Sequence, residues 1–237
     1  MAKSLEIPQD IIDNVIAAVG DDKCLLQKCA LVSSSFLLPT RKQLFSRITL
    51  SSDRNCQGIN QFLIQNPIIQ SFVRDITLTV DFEIRRPKLT NWINGTSPLA
   101  ILRLPFCRLE CLAIWNPHSS WCRSYDSWDW NNFSSEMRDA LSNIIHSSTL
   151  KTLLLEGISK VPITLFLHIV HLTTLELTLS PNDFCDENSN SLTRTASKGV
   201  PVASIASNTV VDRFVWYVGK EPLHWRGMRL LSSAISH

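Results

Sequence analysis

The sequence predicts a mixed α/β protein in which three short N-terminal helices precede an array of short parallel strands and helices. Two patterns lead to this prediction. Apolar residues recur at helical spacing through the N-terminal segment, and four later segments share one arrangement of aliphatic residues typical of a short strand. Of the 237 residues, 44% are hydrophobic, which is enough for the core of one or two domains.

Three helices are predicted in the N-terminal segment. Pro8 lies where the first helix begins, Gly20 lies just past its last apolar residue, and Asp21 or Asp22 can cap the second. The third is predicted to hold Pro39 in its first turn, where a helix tolerates proline. The first helix carries four apolar residues at the spacing of one buried face: Ile12, Val15, Ile16 and Val19. So small a unit usually needs a partner or a neighbouring domain to cover its apolar side.

Two strings in this segment resemble the F-box family. Residues 7–15 read IPQDIIDNV, which is similar to the family's opening Leu-Pro-x-Glu-aliphatic-aliphatic-x-x-aliphatic. Residues 29–36 read CALVSSSF, which is similar to its Cys-x-Leu-Val-Ser-x-x-Phe/Trp element, at the separation that the family shows. Residues 44–50, LFSRITL, resemble the continuation into a first strand common in fungal F-box-like proteins.

The resemblance implies a partner and a mode of binding. F-box segments dock onto a Skp-type adaptor, which links them to a cullin-RING ubiquitin ligase, while the rest of the chain selects the protein substrate. Apolar anchors at helical spacing bury into the adaptor. The family pattern implies these adaptor-binding residues: Ile7, Pro8, Ile11, Ile12, Val15, Leu31, Val32 and Phe36. The alternative is an ordinary three-helix cap whose apolar residues only close the core.

The middle of the chain repeats the pattern aliphatic-x-x-aliphatic-x-aliphatic. The four segments are Val73–Leu78, Leu109–Ile114, Leu150–Leu155 and Leu172–Leu177. They resemble the strand half of a leucine-rich repeat, although their starts are 36, 41 and 22 residues apart. The pattern therefore predicts a degenerate leucine-rich-repeat-like array of parallel strands backed by helices. An ordinary α/β layer domain is the alternative, since aliphatic strands alternating with helices also describe that class.

Helices are predicted between the strands. One carries Ile59, Phe62 and Leu63 and ends before Pro67. Another is capped by Ser134 or Ser135 and buries one face, formed by Met137, Leu141, Ile144 and Ile145. A further helix opens at Pro162 and includes Leu165, Phe166 and Ile169. The segment from Leu99 to Leu104 fits either the strand pattern or a helix.

A stretch from residue 115 to 133 is rich in aromatic residues set among Asn, Ser and Asp. Aromatic side chains with a polar handle are enriched at protein interfaces. The stretch follows a predicted strand and precedes a helix, so it is a candidate target-binding loop. Its candidate residues are Trp115, Trp121, Tyr125, Trp128 and Trp130. The alternative is a loop folded back on the core, because tryptophan is well buried on average.

The sequence gives little support for a metal site or for enzyme activity. Four residues with the spacing C-x3-C-x6-H-x3-C do not match a usual zinc pattern: Cys107, Cys111, His118 and Cys122. His168 and His171 could share one helix face, but no carboxylate lies near them in sequence. Phosphate-binding glycine loops and nucleophile elbows are missing from the sequence. We therefore predict no metal, no cofactor and no enzyme activity.

The bulk composition narrows the class of protein further. The formal net charge is +2, without the basic stripe that a nucleic-acid partner requires. The most apolar segment, residues 163–175, is too short to span a membrane, and the first six residues carry no secretory signal. Seven cysteines at irregular spacing suggest reduced thiols. We therefore predict a cytoplasmic or nuclear protein with no nucleic-acid or membrane partner.

The predicted organisation has four parts: an F-box-like helical segment at 1–50, the repeat-like domain at 51–181, a polar linker or loop at 182–208, and an unassigned segment at 209–237. The last part carries an apolar run that could form a strand but does not continue the repeat pattern. A repeat array normally ends with a polar capping unit, and none is readable here. This favours a truncated or altered C-terminus, which transcript sequencing would test.

Three functions follow from these observations. The leading prediction is a substrate-recognition subunit of a Skp–cullin–F-box ubiquitin ligase. The second is a leucine-rich interaction scaffold without a ligase link, whose N-terminal helices merely cap the array. The third is an enzyme with a site around Cys107–Cys122 or the two histidines. Target specificity cannot be transferred by fold resemblance, so the sequence does not identify the target.

Overall fold

The computed structural model describes residues 7–79, 92–115, 128–166, 169, 171–178, 184–185, 209–218 and 221–230. Within these ranges the predicted mixed α/β class is confirmed. The helices are α1 Gln9–Val19, α2 Lys23–Val32, α3 Ser34–Leu44, α4 Asp53–Gln65, α5 Pro67–Gln70, α6 Thr96–Leu102 and α7 Ser135–Ile145. The strands are β1 Arg47–Leu50, β2 Asp75–Thr79, β3 Cys111–Trp115, β4 Trp128–Asp129, β5 Thr152–Glu156, β6 Ile158–Ser159, β7 Val161–Pro162, β8 Thr174–Thr178, β9 Phe184–Cys185, β10 Thr209–Val218 and β11 Glu221–Leu230.

The three N-terminal helices form as predicted, with one difference in detail. Gly20 ends α1 with φ at 63°, and the Asp22 carboxylate caps α2 by accepting the Leu25 N–H at 2.9 Å. However, α3 begins at Ser34, so Pro39 lies in its interior and the prediction of a first-turn proline is wrong. Packing of the α3 side chains against the helical core outweighs the lost backbone hydrogen bond.

The four segments with the aliphatic pattern each form a strand that begins two residues after the first aliphatic residue. The parallel strands β1, β2, β3, β5 and β8 lie side by side in that order, and β10 and β11 extend the same sheet. The third pattern positions pair directly, as Asp75 with Cys111, Cys111 with Thr152, and Thr152 with Thr174. The repeats are therefore in register in space although their separations along the chain differ.

A ladder of shared carbonyl groups sets this register where each strand begins. The Ser46 carbonyl accepts the N–H groups of Arg74 and Asp75, at 2.8 and 2.9 Å. The carbonyl groups of Arg74, Glu110 and Lys151 each accept two N–H groups from the next strand in the same way, at 2.7–2.9 Å. We call this row the carbonyl ladder. It joins neighbouring repeats independently of the length of chain between them.

Strand β1 is a further unit of the array that the aliphatic pattern did not reveal. Arg47 pairs with Asp75, which places Phe45 at the first pattern position. Ile48 and Leu50 then occupy the two later apolar positions, and both are buried. An aromatic residue replaces the first aliphatic one, so this unit escaped a search for aliphatic residues.

The main core lies between the sheet and its helices. The apolar pattern positions of β2, β3, β5 and β8 are all buried. Helix α7 is capped by the Ser134 hydroxyl, which accepts the Met137 N–H at 3.2 Å. It buries the predicted face formed by Met137, Leu141, Ile144 and Ile145.

The segment from Leu99, which fitted either a strand or a helix, is helical and belongs to α6. The helix predicted after Pro162 is instead a short 3-10 turn, Ile163–Phe166, although Leu165, Phe166 and Ile169 are buried.

The C-terminal strands change one prediction. Strand β10 pairs with β8 in parallel, with Arg213 opposite Thr174, and β11 returns antiparallel to β10. The segment predicted not to continue the repeat therefore adds a strand in the same register. The apolar run was expected to form a strand, but its register was missed because Phe214 and Trp216 occupy the later apolar positions. Of the predicted linker at 182–208, the structure describes only Phe184–Cys185, which pairs with Val161–Pro162.

Candidate interaction surfaces

The N-terminal helices expose apolar side chains on their outer side. Five of the predicted adaptor-binding residues are exposed, and we refer to them together as the apolar helix surface: Ile7, Ile11, Val15, Leu31 and Val32. Leu31 is 87% exposed and Val32 69% exposed, at the end of α2. Of the eleven exposed large hydrophobic residues in the described part of the chain, seven lie between residues 7 and 38. Such a concentration of exposed apolar surface is typical of an interaction site.

Two other predicted anchors face inward. Ile12 is 1% exposed and joins Ile16 and Leu26 in a small helical core, so its prediction as a surface anchor is wrong. Phe36 is half-buried and packs against the same core. Helical spacing marks apolar residues without saying which of two faces a partner covers, which explains both results. Pro8 is exposed at the start of α1, where its carbonyl accepts the N–H groups of Ile11 and Ile12.

The array has a second surface on the side of the sheet away from its helices. Side chains alternate along a strand, so the third, fifth and seventh pattern positions lie opposite the buried fourth and sixth. We call these positions the open face. It carries mostly small or polar residues, among them Thr77, Cys111, Ala113 and Thr152. Such a face, backed by a rigid core, suits an extended partner.

The open face carries charged groups near both of its ends. At the β1 end, Arg47 donates to the Asp75 carboxylate at 2.9 Å and also pairs with Asp21, and the hydrogen bond to Asp75 raises the pKa of Arg47. At the other end, burial raises the pKa of Glu156, against the opposing effect of a hydrogen bond from Trp115. Burial, together with the Asp75 carboxylate, raises the pKa of the Cys111 thiol to about 11, so this thiol is protonated near neutral pH.

The predicted aromatic target-binding residues differ in burial. Trp115 lies on the open face and is 40% exposed. Trp128 and Trp130 are buried in the main core, so their prediction as target-binding residues is wrong. Trp128 packs edge-on against Trp92 and Phe133, with ring centroids 6.2 Å apart in both pairs. Large aromatic rings filled core space here despite their polar sequence neighbours. Trp121 and Tyr125 lie outside the described residues.

The predicted zinc-like and histidine sites are only partly described. Cys107 is exposed and Cys111 half-buried, while His118 and Cys122 lie outside the described residues. His171 is exposed, and His168 is likewise outside. No group of three or more potential metal ligands occurs within the described ranges. No helix in the same ranges is long and apolar enough to cross a membrane.

Sequence inspection missed the polar residues of the open face. Thr79, Glu156 and Glu176 were not singled out, although each stands at an odd position of the repeated pattern. The alternation of the strand would have assigned them to one face once the register was known.

Comparison with family models, with curated proteins and with solved structures returned no match for this chain. The F-box and leucine-rich-repeat resemblances therefore remain predictions.

Proposed function

We propose that this chain is a substrate-recognition subunit of a Skp–cullin–F-box type ubiquitin ligase. In this proposal the apolar helix surface binds a Skp-type adaptor, and the repeat array binds a protein target. The observation that carries the proposal is the exposure of Leu31 and Val32, which belong to the string that resembles the family. Ile7, Ile11 and Val15, which belong to the first string, are exposed as well.

The energetics of these side chains support a role in binding. Burying one aliphatic side chain of this size stabilises a complex by about 1.5–3 kcal/mol. Ile11 and Val15 lie four residues apart on α1, so they project from the same side of that helix. The helical core holds the helices in place with Ile12, Ile16 and Leu26, which leaves the outer residues available to a partner. An F-box protein would bind its adaptor through such outer residues.

One observation favours the interaction scaffold as a second candidate function. Asp21, in the turn between α1 and α2, pairs with Arg47 on the edge strand β1, so the helices lie against the end of the array. A helical unit placed there also covers the edge strand, as a capping unit of an array does. In this second function the array binds a protein partner without any link to a ligase.

Binding to a purified Skp-type adaptor tests the first proposal. Leu31→Asp places a charge within the proposed contact, and we expect it to weaken adaptor binding by about 100-fold or more. Ile64→Asp is the matched control, because Ile64 is 59% exposed on α4 and lies outside the apolar helix surface. Its affinity should equal that of the wild type.

Two results would count against the ligase. Wild-type protein with a normal thermal unfolding transition could fail to bind the adaptor, which would leave the scaffold as the better proposal. Alternatively, Leu31→Asp and Ile64→Asp could bind equally well, which would show that contact with the adaptor does not involve the end of α2.

A further inference from the structure

Three neighbouring strands bring Thr79, Trp115 and Glu156 together on the open face. Thr79 pairs with Trp115, and Trp115 pairs with Glu156, so the three residues form one row across β2, β3 and β5. All three stand at the seventh pattern position, on the side away from the helices. Glu176 belongs to the same face, in register with Leu154 on the neighbouring strand.

The row combines an aromatic surface with a carboxylate. Trp115 is 40% exposed, and its side chain donates a hydrogen bond to Glu156. That hydrogen bond orients the carboxylate beside the indole ring. Beside them, the Thr79 hydroxyl is buried and has no hydrogen-bond partner within the described residues. Because this hydroxyl is closed to solvent, Thr79 contributes packing to the row, and contacts with a ligand fall to Trp115 and Glu156.

The charge of this part of the face is negative. Within the described strands three cations stand at open-face register positions: Arg47, Arg213 and Arg226. All three lie level with the third pattern position, at the opposite end of the strands from this row, and Arg47 pairs there with Asp75 and Asp21. Burial of Glu156 raises its pKa, and a Trp115 hydrogen bond only partly offsets that effect. A carboxylate that loses water in this way gains free energy when a cation approaches it. A tryptophan face attracts cations as well, through its ring quadrupole.

We propose that the row formed by Thr79, Trp115 and Glu156 binds a lysine or arginine side chain of an extended target segment. The charged head lies over the Trp115 indole and against Glu156, and Glu176 adds a second negative charge on the same face. This inference rests on the proposed function, because it specifies the chemistry of the target that the array receives. It predicts that the target segment is basic.

Fluorescence anisotropy with three labelled peptides tests the inference on the full chain. The first peptide alternates lysine and threonine over about ten residues, long enough to cross the strands. In the second, glutamate replaces lysine, and in the third every lysine is acetylated. We expect the lysine peptide to bind most tightly, and its affinity should fall about tenfold when salt is raised from about 50 to about 300 mM.

Variants of the row locate the binding. Trp115→Ala should weaken binding of the lysine peptide by about threefold to thirtyfold, and Glu156→Gln by about fivefold. Glu156→Gln keeps the side-chain shape, and it should fold normally because it removes a half-buried charge. Glu110→Gln is the matched control, since Glu110 is a half-exposed carboxylate that pairs with Lys151 just before β3. It should bind like the wild type.

Several results would overturn the inference. These are equal binding of the lysine and glutamate peptides, unchanged affinity in both Trp115→Ala and Glu156→Gln, or an equal loss in Glu110→Gln. The adaptor experiment is independent of these measurements. Lysine-selective binding by a chain that does not bind the adaptor would remove the ligase and leave this site in place. Adaptor binding without lysine selectivity would remove this site alone.

Discussion

The N-terminal helices and the repeat array differ in how much of their apolar surface they bury. Three helices share a core of three buried residues, Ile12, Ile16 and Leu26, while their outer sides expose long aliphatic side chains. The array joins more than thirty buried residues in one continuous cluster. Burial of apolar surface is the main stabilising contribution to folding. Most of the stability of the chain therefore lies in the array.

This difference in buried apolar surface bears on function. A small unit with exposed aliphatic residues gains stability when a partner covers it, so binding and folding of the helices reinforce each other. The array needs no such cover and can hold polar side chains rigidly on its open face. The following substitutions test this contrast, from the largest expected effect to the smallest.

Leu112→Ala should have the largest effect. Leu112 is fully buried in β3, so its truncation removes contacts and leaves a cavity in the main core. We expect the free energy of unfolding to fall by about 2–5 kcal/mol. Urea denaturation followed by circular dichroism measures it. Leu154→Ala, on the half-buried open face of β5, should cost less than half as much, and equal costs would contradict the assignment of the two faces.

Leu26→Ala and Leu31→Ala compare two positions of the same helix. Leu26 is 1% exposed and Leu31 is 87% exposed, although both lie on α2. Leu26→Ala should destabilise the helices by about 2 kcal/mol, whereas Leu31→Ala should change their stability by less than about 0.5 kcal/mol. Hydrogen exchange of the α2 amides measures this difference directly, because exchange reports the stability of each element separately. Faster exchange across the array in Leu26→Ala would show that the two regions unfold together.

Ser134→Ala and Asp22→Ala remove one helix cap in each region. Each side chain accepts a backbone N–H at the start of its helix, that of Met137 in α7 and that of Leu25 in α2. A lost cap costs about 1 kcal/mol. In Ser134→Ala the loss should lower the urea midpoint of the whole chain. In Asp22→Ala it should appear as faster exchange confined to the N-terminal helices, and a global loss there would argue against separate stabilities.

Glu156→Gln should have the smallest effect, and its sign depends on pH. The folded-state pKa of Glu156 is raised above the ordinary 4.5 by burial. Protonation therefore favours the folded chain: this contribution is fully present below pH 4.5 and is lost as pH rises through the raised folded pKa. We expect the variant to melt slightly higher than the wild type at pH 7 and at the same temperature near pH 4. A lower melting temperature at pH 7 would contradict the burial of this charge.

Much of the fold follows from periodicity, because the aliphatic pattern states which residues a strand buries. The strands at Val73, Leu109, Leu150 and Leu172 were predictable for that reason. Strands β1 and β10 were expected as strands, but their register in the array was not predictable, because aromatic residues replace aliphatic ones at some of their pattern positions. The pattern also could not show that unequal spacings along the chain give equal register, since hydrogen bonds between strands set the register.

The interaction surfaces were less predictable than the core. Helical spacing identified Leu31 and Ile12 alike, although one is exposed and the other buried. In the aromatic stretch, Trp115 follows an apolar run and Trp128 lies between polar residues, yet Trp115 is exposed and Trp128 is buried. Local sequence does not encode which side of an element another element will cover. Glu156 became a candidate only when its strand was placed beside that of Trp115.

The carbonyl ladder has a consequence for how such a chain can change. Each strand is hydrogen-bonded to the next through a shared carbonyl group, that of Arg74, Glu110 or Lys151. The connecting segments are therefore free to differ in length. Doubling the length of a flexible connection costs only about 0.6 kcal/mol. New sequence can therefore enter between repeats while the strands keep their alignment. The fold tolerates insertion at these points, so its connections can diversify while its framework stays the same.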